Sequence, residues 1–491
     1  MYAFACGFAF QVAAFAQGPT LQSVINAASL GKDLSPGTAA VVEGAGFGAD
    51  SVLRVGETII LPTPGSTLPG RFNVFLPASL APGSYEATVT SGAGKSSAIS
   101  IALAAASPAF YSVTRNGTAQ GAFFDDTFSG ITIEKGAVHG TIVTAYANGL
   151  GPADGAPPVF STKLPLRVSI RDDNGEWKTV PATAQQDSSL IGYWQVRFVM
   201  PDGFVQGLHD VYLSAGAIDG PIAQLPAGGA ILAAVVNAGS NVKGAPVAPG
   251  SLVAIYGTEL TPSDQSALLP ATTLPGGGQV RIGGVPAPLT DVSATFGQAH
   301  IVVPWEVAPT DGIDVVIENS FGISRPYRVR IAETAVGIFR LSDPSNPDRA
   351  NAAALIQGTA WAAIPPSMAN ALKLPQNCRA GFDKSAPCAQ PASAGDILQV
   401  YATGLGKVAP TLATGRIAPA DGSVLHRSLS IPQVTIGGVP ADVLFAGMAP
   451  GFAGLYQIDV VVPKGVAAGD DVPLVITMPA GDRDSATIAV R

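Results

Sequence analysis

Four segments of this chain fit one gapless template, and that internal repeat constrains the fold more than any other feature. In each, a glycine is followed by a polar or small residue, an alternating β pattern, and a large apolar residue ten positions on. The copies are GTAAVVEGAGF from Gly37 to Phe47, GTIVTAYANGL from Gly140 to Leu150, GSLVAIYGTEL from Gly250 to Leu260, and GDILQVYATGL from Gly395 to Leu405. The sixth residue after each glycine is Glu43, Tyr146, Tyr256 and Tyr401. Alternation of Val and Ile with other residues predicts a strand with one buried face. The glycines at its end predict a bulge or tight turn that β-branched residues would oppose.

A second template follows each copy: a strand, a proline, a short loop, and another strand. It runs around Pro77 (FNVFLPASLAPGSYEATV), Pro201 (WQVRFVMPDGFVQGLHDVYL), Pro304 (AHIVVPWEVAPTDGIDVVI) and Pro463 (YQIDVVVPKGVAAGDDVPLVI). Proline is tolerated at a strand end because no ladder donor is needed there. Between the two templates lies a further strand, starting at Leu53, Leu166, Val280 and Val434. Short strands with frequent turn signals predict β-sandwiches.

The copies also pair. INAAS from Ile25 matches VNAGS from Val236, and YANGLG (146–151) matches YATGLG (401–406), so a two-domain unit is duplicated over roughly 20–229 and 230–491. A chain of 491 residues also exceeds what one hydrophobic core supports. The expected class is all-β, as tandem immunoglobulin-like β-sandwich domains. The expected organisation is a signal peptide over 1–16 and domains over 17–104, 105–229, 230–333 and 334–491, the last with a long loop insertion at 341–391.

Composition agrees. Apolar residues make up 47% and charged residues 13%, while 57 Gly and 41 Pro are spread as turn punctuation that leaves little room for long helices. The net charge of −8, with no Lys/Arg-rich stripe, argues against a nucleic-acid partner. Residues 1–16 are apolar and uncharged and end in Ala14-Phe15-Ala16, which reads as an export signal without its basic start, the alternative being a buried N-terminal strand. Cys6 lies too early for a lipid-attachment cysteine on this numbering, and no other run approaches the ~20 apolar residues of a membrane span.

On the strings VVNAGSNVKGAPVAPGSLVAIYGTEL, YATGLG, VTIGGVPADVLFAGMAPGFAGLYQIDVVVP and TIAVR, residues 230–491 resemble the Solibacter-type uncharacterised C-terminal domain family, and 20–229 do so more loosely. That family occurs at the C-termini of large exported bacterial proteins. PGTAAVVEGAGFGADSVLRVG (36–56) is similar to IPT/TIG immunoglobulin-like domains. Neither resemblance supplies catalytic residues; together they imply a β-sandwich in an extracellular or envelope setting.

Motif by motif, chemistry recedes. GAGKSS (92–97) mimics the end of a phosphate loop, but Val89 stands where its first glycine belongs and no helix pattern follows, so a hairpin turn is expected. GAGFG (44–48) lacks the strand–helix–strand context of a dinucleotide site. His139, His209, His300 and His426 occupy framework positions in three repeats, with no G-x-S-x-G or H-E-x-x-H string. Asp125 with Asp126, Asp172 with Asp173, and Asp343, Asn346 and Asp348 are candidate calcium ligands, against which stands ordinary turn chemistry, including a type I′ hairpin at Asn174-Gly175. Cys378 and Cys388 lie close together in a chain whose remaining cysteine is Cys6, so in an oxidising compartment a disulfide is expected, metal binding being the alternative. Trp361 and a helical turn in PPSMANALKL fall in the same insertion.

The expected function is that of an exported, non-enzymatic protein with a structural, adhesive or binding role toward a surface protein or glycan, without cofactor, catalytic or metal residues. Carbohydrate binding is the first alternative, resting on Trp177, Trp194, Trp305 and Trp361, of which Trp194 fits a core position better. A hydrolase with a site built from loops is the second.

Overall fold

The computed structural model describes residues 18–491, apart from 116–117, 157–158, 188–191, 274–277, 345 and 380. The expected leader over 1–16, with Cys6, lies outside the described residues. The described chain is almost entirely antiparallel β, with one α-helix at Pro366–Leu372. No described helix is long and apolar enough to cross a membrane.

The chain divides into two compact units, Met1–Ala227 and Gly228–Arg491. Unit 1 holds two separate apolar cores, one drawn from residues 21–103 and one from 106–227; unit 2 holds two large ones, from 230–331 and 336–490. The template strands build these cores by alternation. In Ala39–Ala45, Ala40 and Val42 are fully buried while Val41 and Glu43 are half-exposed. Each Val, Leu, Ile or Phe so buried contributes about 1.5–3 kcal/mol, which offsets the cost of ordering the chain. The first domain is a sandwich of Thr20–Asn26, Ala39–Ala45 and Arg71–Phe75 against a sheet centred on Val52–Val55 and Gly83–Ser91. In the second, Trp177–Asp187 joins both layers, pairing through 177–182 with Leu166–Arg171 and through 183–185 with Trp194–Val199.

The strings that betray the duplication are the two halves of a joint, built the same way in each unit. Asn26 donates from Nδ2 to the Ser107 carbonyl at 3.0 Å, and its Oδ1 accepts from the Ala28 N–H at 2.9 Å. Asn237 repeats this with the Ala335 carbonyl at 2.6 Å and the Gly239 N–H at 2.8 Å. Both asparagines are buried, so these bonds replace water that cannot enter. On the other side of each joint, the glycines of YANGLG and YATGLG let the linker pass. Gly149 (φ 72°) and Gly404 (φ 82°) would drive a Cβ into the carbonyls of Ser107 and Ala335. Gly151 and Gly406 likewise face the carbonyls of Ala105 and Glu333, at 2.9 and 2.6 Å from a notional Cβ. The N-terminal strands of the first and third domains also share a bulge, between Leu21 and Ser23 and between Leu232 and Ala234.

The segment 341–391 is more ordered than a loop. Asn346–Ala352 and Ala354–Ile356 pair into the fourth sandwich, and the helix Pro366–Leu372 packs Met368 and Ala369 into a small core with Ala362, Ile364 and Ala389. Asp343-Pro344 and Asn346-Pro347 at the start of the segment read as turn chemistry and hide the first of these strands. Cys378 and Cys388 are joined in a disulfide with Cα atoms 6.6 Å apart, and Trp361 buries itself against them.

Candidate binding faces

Alternation that sends Val253, Ile255 and Ala299 into the core sends their neighbours to the opposite side of the sheet, where a recurrent pair appears. Tyr256 lies opposite Gln298, Tyr146 opposite Gln195, and Tyr401 opposite Gln457. The three tyrosines are half-buried, with their rings outside the core clusters. Two residues beyond each glutamine, on the same side, stand Arg197, His300 and Asp459. The first domain departs from the pattern, with Glu43 opposite Arg71. Each glutamine sits six residues before the proline of the second template, so the repeat carried the signal, but it surfaces only once the strands are paired across the sheet.

The surroundings of the pair differ from domain to domain. In the second, Phe124 meets Tyr146 edge-on at 6.0 Å, and Arg197 Nε reaches Thr144 Oγ1 at 3.4 Å. In the third, His300 Nδ1 lies 2.8 Å from Asp291 Oδ2 and its Nε2 lies 2.8 Å from the Gln298 amide. Burial pushes the Asp291 carboxyl up, but hydrogen bonding and attraction from His300, with the Thr290 hydroxyl, outweigh it and hold it below the usual range. In the fourth, Gln457 donates to Asp459 Oδ1 at 2.7 Å and the Arg427 guanidinium stacks over Phe445 at 5.0 Å. Burial raises the Asp459 carboxyl, with Gln457 and Arg427 pulling it partly back. Burial, then the charge of Asp459, raises the Tyr401 hydroxyl. The second and third faces thus set an aromatic ring beside an amide and a side chain of variable charge, which together can offer a flat apolar surface, donors and acceptors; in the fourth, Gln457 and Asp459 are buried, and the half-buried Tyr401 is the member of the pair that remains accessible.

The structure scatters the other candidates. His139 is exposed; His209 is buried between the carbonyls of Arg171 (3.0 Å) and Val205 (2.7 Å); His426 bonds the Pro410 carbonyl at 2.6 Å. Asp125 is a turn residue whose Oδ1 accepts from the Thr127 and Ser129 backbone at 2.9 and 2.8 Å, and Asp173 bonds the Val205 N–H at 3.0 Å. Among the described residues no three His, Cys, Asp or Glu side chains gather as metal ligands, and the side chain of Asp348 lies outside them. GAGKSS forms a hairpin turn, with Thr90 opposite Lys95. The turn at Asn174-Gly175 is not type I′, which needs positive φ at both central residues. Only Gly175 has it (φ 86°), and Asp172 closes the loop by accepting from Asn174 and Glu176, each at 2.9 Å. Trp194 is core, Trp361 is buried by the disulfide, Trp177 is 39% exposed and meets Tyr212 edge-on, and Trp305 is half-buried.

No family model matches the chain, and no curated protein matches it. Among solved structures, the chain is similar to a protein crystallised with a xylogluco-oligosaccharide (12% identity, 96% of this chain and 95% of that one, TM-score 0.23). It is similar also to a surface glycan-binding protein of a Bacteroides ovatus mixed-linkage glucan utilisation locus, in complex with a heptasaccharide (12% identity, 90% and 89%, TM-score 0.15). A third is the I9–I11 tandem of titin (8% identity, 72% and 94%, TM-score 0.18). At these identities and scores the likenesses fix neither a family nor a ligand.

Proposed function

We propose that this chain is a non-enzymatic binding protein that acts outside the cytoplasm, as the leader-like start and the Solibacter-type resemblance suggest, and that its ligand is a carbohydrate. One observation carries the choice of ligand: the Tyr–Gln cross-strand pair, repeated on the non-core side of three sandwiches. A sandwich core does not need it, since the first domain folds with Glu43 and Arg71 in its place. A tyrosine ring accepts the C–H face of a sugar, and the adjoining amide donates to and accepts from its hydroxyls. Changing Arg197 to His300 beside a constant pair varies the charge a ligand meets in the second and third domains, while in the fourth Gln457 and Asp459 are buried and Tyr401 alone is left for contact.

Affinity electrophoresis of the full chain through gels carrying soluble polysaccharides tests this. Retardation that weakens when Tyr256 and Tyr401 are together replaced by alanine supports the proposal. Unretarded migration in every neutral and acidic polysaccharide gel overturns it.

A further inference from the structure

Unit 2 contains a cleft of about 430 Å³ at the junction of its third and fourth domains, within the ~300–1,000 Å³ range of small-ligand sites. Trp305, Glu306, Glu333, Lys407, Leu429 and Ser430 line it. We infer that this cleft is a discrete saccharide-binding site, an inference that rests on the carbohydrate reading above and adds to it a specific pocket.

Its central groups are held in place before any ligand arrives. The Trp305 backbone N–H donates to Thr414 Oγ1 at 3.0 Å, and that hydroxyl donates onward to Glu306 Oε2 at 2.7 Å, so one threonine of the fourth domain fixes the main chain at Trp305 and the side chain of Glu306 in the third. The ring edge of Trp305 lies against Gly250 (φ 74°), where a Cβ would run into the indole, and the ring packs partly on the core of the fourth domain. Glu333 and Lys407 stand exposed at the cleft, and among the described residues neither forms an ion pair.

A bland explanation is that these residues merely build the junction, and the duplicate joint in unit 1 weighs against it. Hydrogen bonds fix the equivalence: Gly37 N–H to the Leu76 carbonyl (2.9 Å) matches Gly250 N–H to the Val303 carbonyl (2.8 Å), and Leu80 N–H to Pro77 (3.1 Å) matches Val307 N–H to Pro304 (3.2 Å). Trp305 therefore corresponds to Ala78. The glycine contacts described above make Ala105 the counterpart of Glu333, and Pro152, following YANGLG, the counterpart of Lys407. Unit 1 assembles the same joint with an alanine, an alanine and a proline. The indole, the carboxylate and the ammonium are thus additions that the architecture does not require. One aromatic plate ringed by carboxylates, an ammonium and the Ser430 hydroxyl complements a pyranose, with its apolar C–H face and its rim of hydroxyls.

Titration of the full chain with short neutral and acidic oligosaccharides, cut from the polysaccharides that retard it, tests the inference by isothermal calorimetry, which needs no tryptophan as reporter. Affinity should weaken about tenfold or more in Trp305→Ala, and severalfold in Lys407→Ala or Glu333→Gln, whose exposed side chains leave the fold intact. Trp305→Phe, which keeps a ring on Gly250, should bind between the two. Unchanged affinity in Lys407→Ala, Glu333→Gln and Trp305→Phe, with loss in the Tyr256→Ala/Tyr401→Ala variant, overturns the cleft and leaves the faces standing. Failure of every oligosaccharide and polysaccharide to bind overturns both.

Discussion

The joint in unit 2 should come apart when Asn237 is replaced by alanine. The side chain is 1% exposed and makes a bond to the Ala335 carbonyl at 2.6 Å and accepts from the Gly239 and Ser240 N–H groups at 2.8 and 3.1 Å. Two buried bonds and one partly buried bond at a net ~1 kcal/mol each put the cost at about 3 kcal/mol, more if no water reaches the orphaned carbonyl. Hydrogen exchange read by mass spectrometry resolves the effect locally, where a single unfolding transition of a multi-domain chain would blur it. The Ala335 N–H, which donates to the Gly404 carbonyl at 2.8 Å, should lose about a hundredfold in protection. Asn26→Ala should act alike on the linker near Ser107 and leave unit 2 untouched. Protection within about 0.5 kcal/mol of the parent at both linkers would refute the joint as the source of rigidity.

Reduction of the Cys378–Cys388 disulfide should relax the insertion by at most roughly 3 kcal/mol in the chain-entropy model, with a red shift in Trp361 emission and no loss of β signal in circular dichroism. Collapse of the β signal on reduction would show that the bond holds more than the insertion. Asp459, whose carboxyl is raised in the folded state by burial, favours folding below its unfolded pKa and loses that contribution as pH rises through its folded value. Asp459→Asn should therefore stabilise the chain near neutral pH and flatten its stability between acidic and neutral pH; thermal melts across that range that match the parent would contradict the assignment.

Much of the architecture could be read from the chain because strand alternation and turn glycines are local signals. VVEGAGF and VTAYANGL announce a half-buried strand and its sharp end without any knowledge of the fold. The two matching pairs of strings showed the duplication but not its cause, since Asn26 and Ser107 meet only through tertiary structure. The Tyr–Gln pairs stayed hidden for the same reason: Tyr401 and Gln457 are 56 positions apart in sequence and become neighbours only by register. Asn174-Gly175 misled because a two-residue dipeptide cannot reveal that Asp172 captures the loop first.

The buried asparagine of unit 2 has a consequence for avidity. A polymer that touches both Tyr256 and Tyr401 meets two sites whose separation is set by protein, not by a flexible tether, so the second contact forms at an effective concentration that no linker entropy dilutes. Weak individual contacts then multiply for chains long enough to reach both, while shorter fragments gain nothing. Loosening Asn237 would erase that length discrimination without touching either tyrosine.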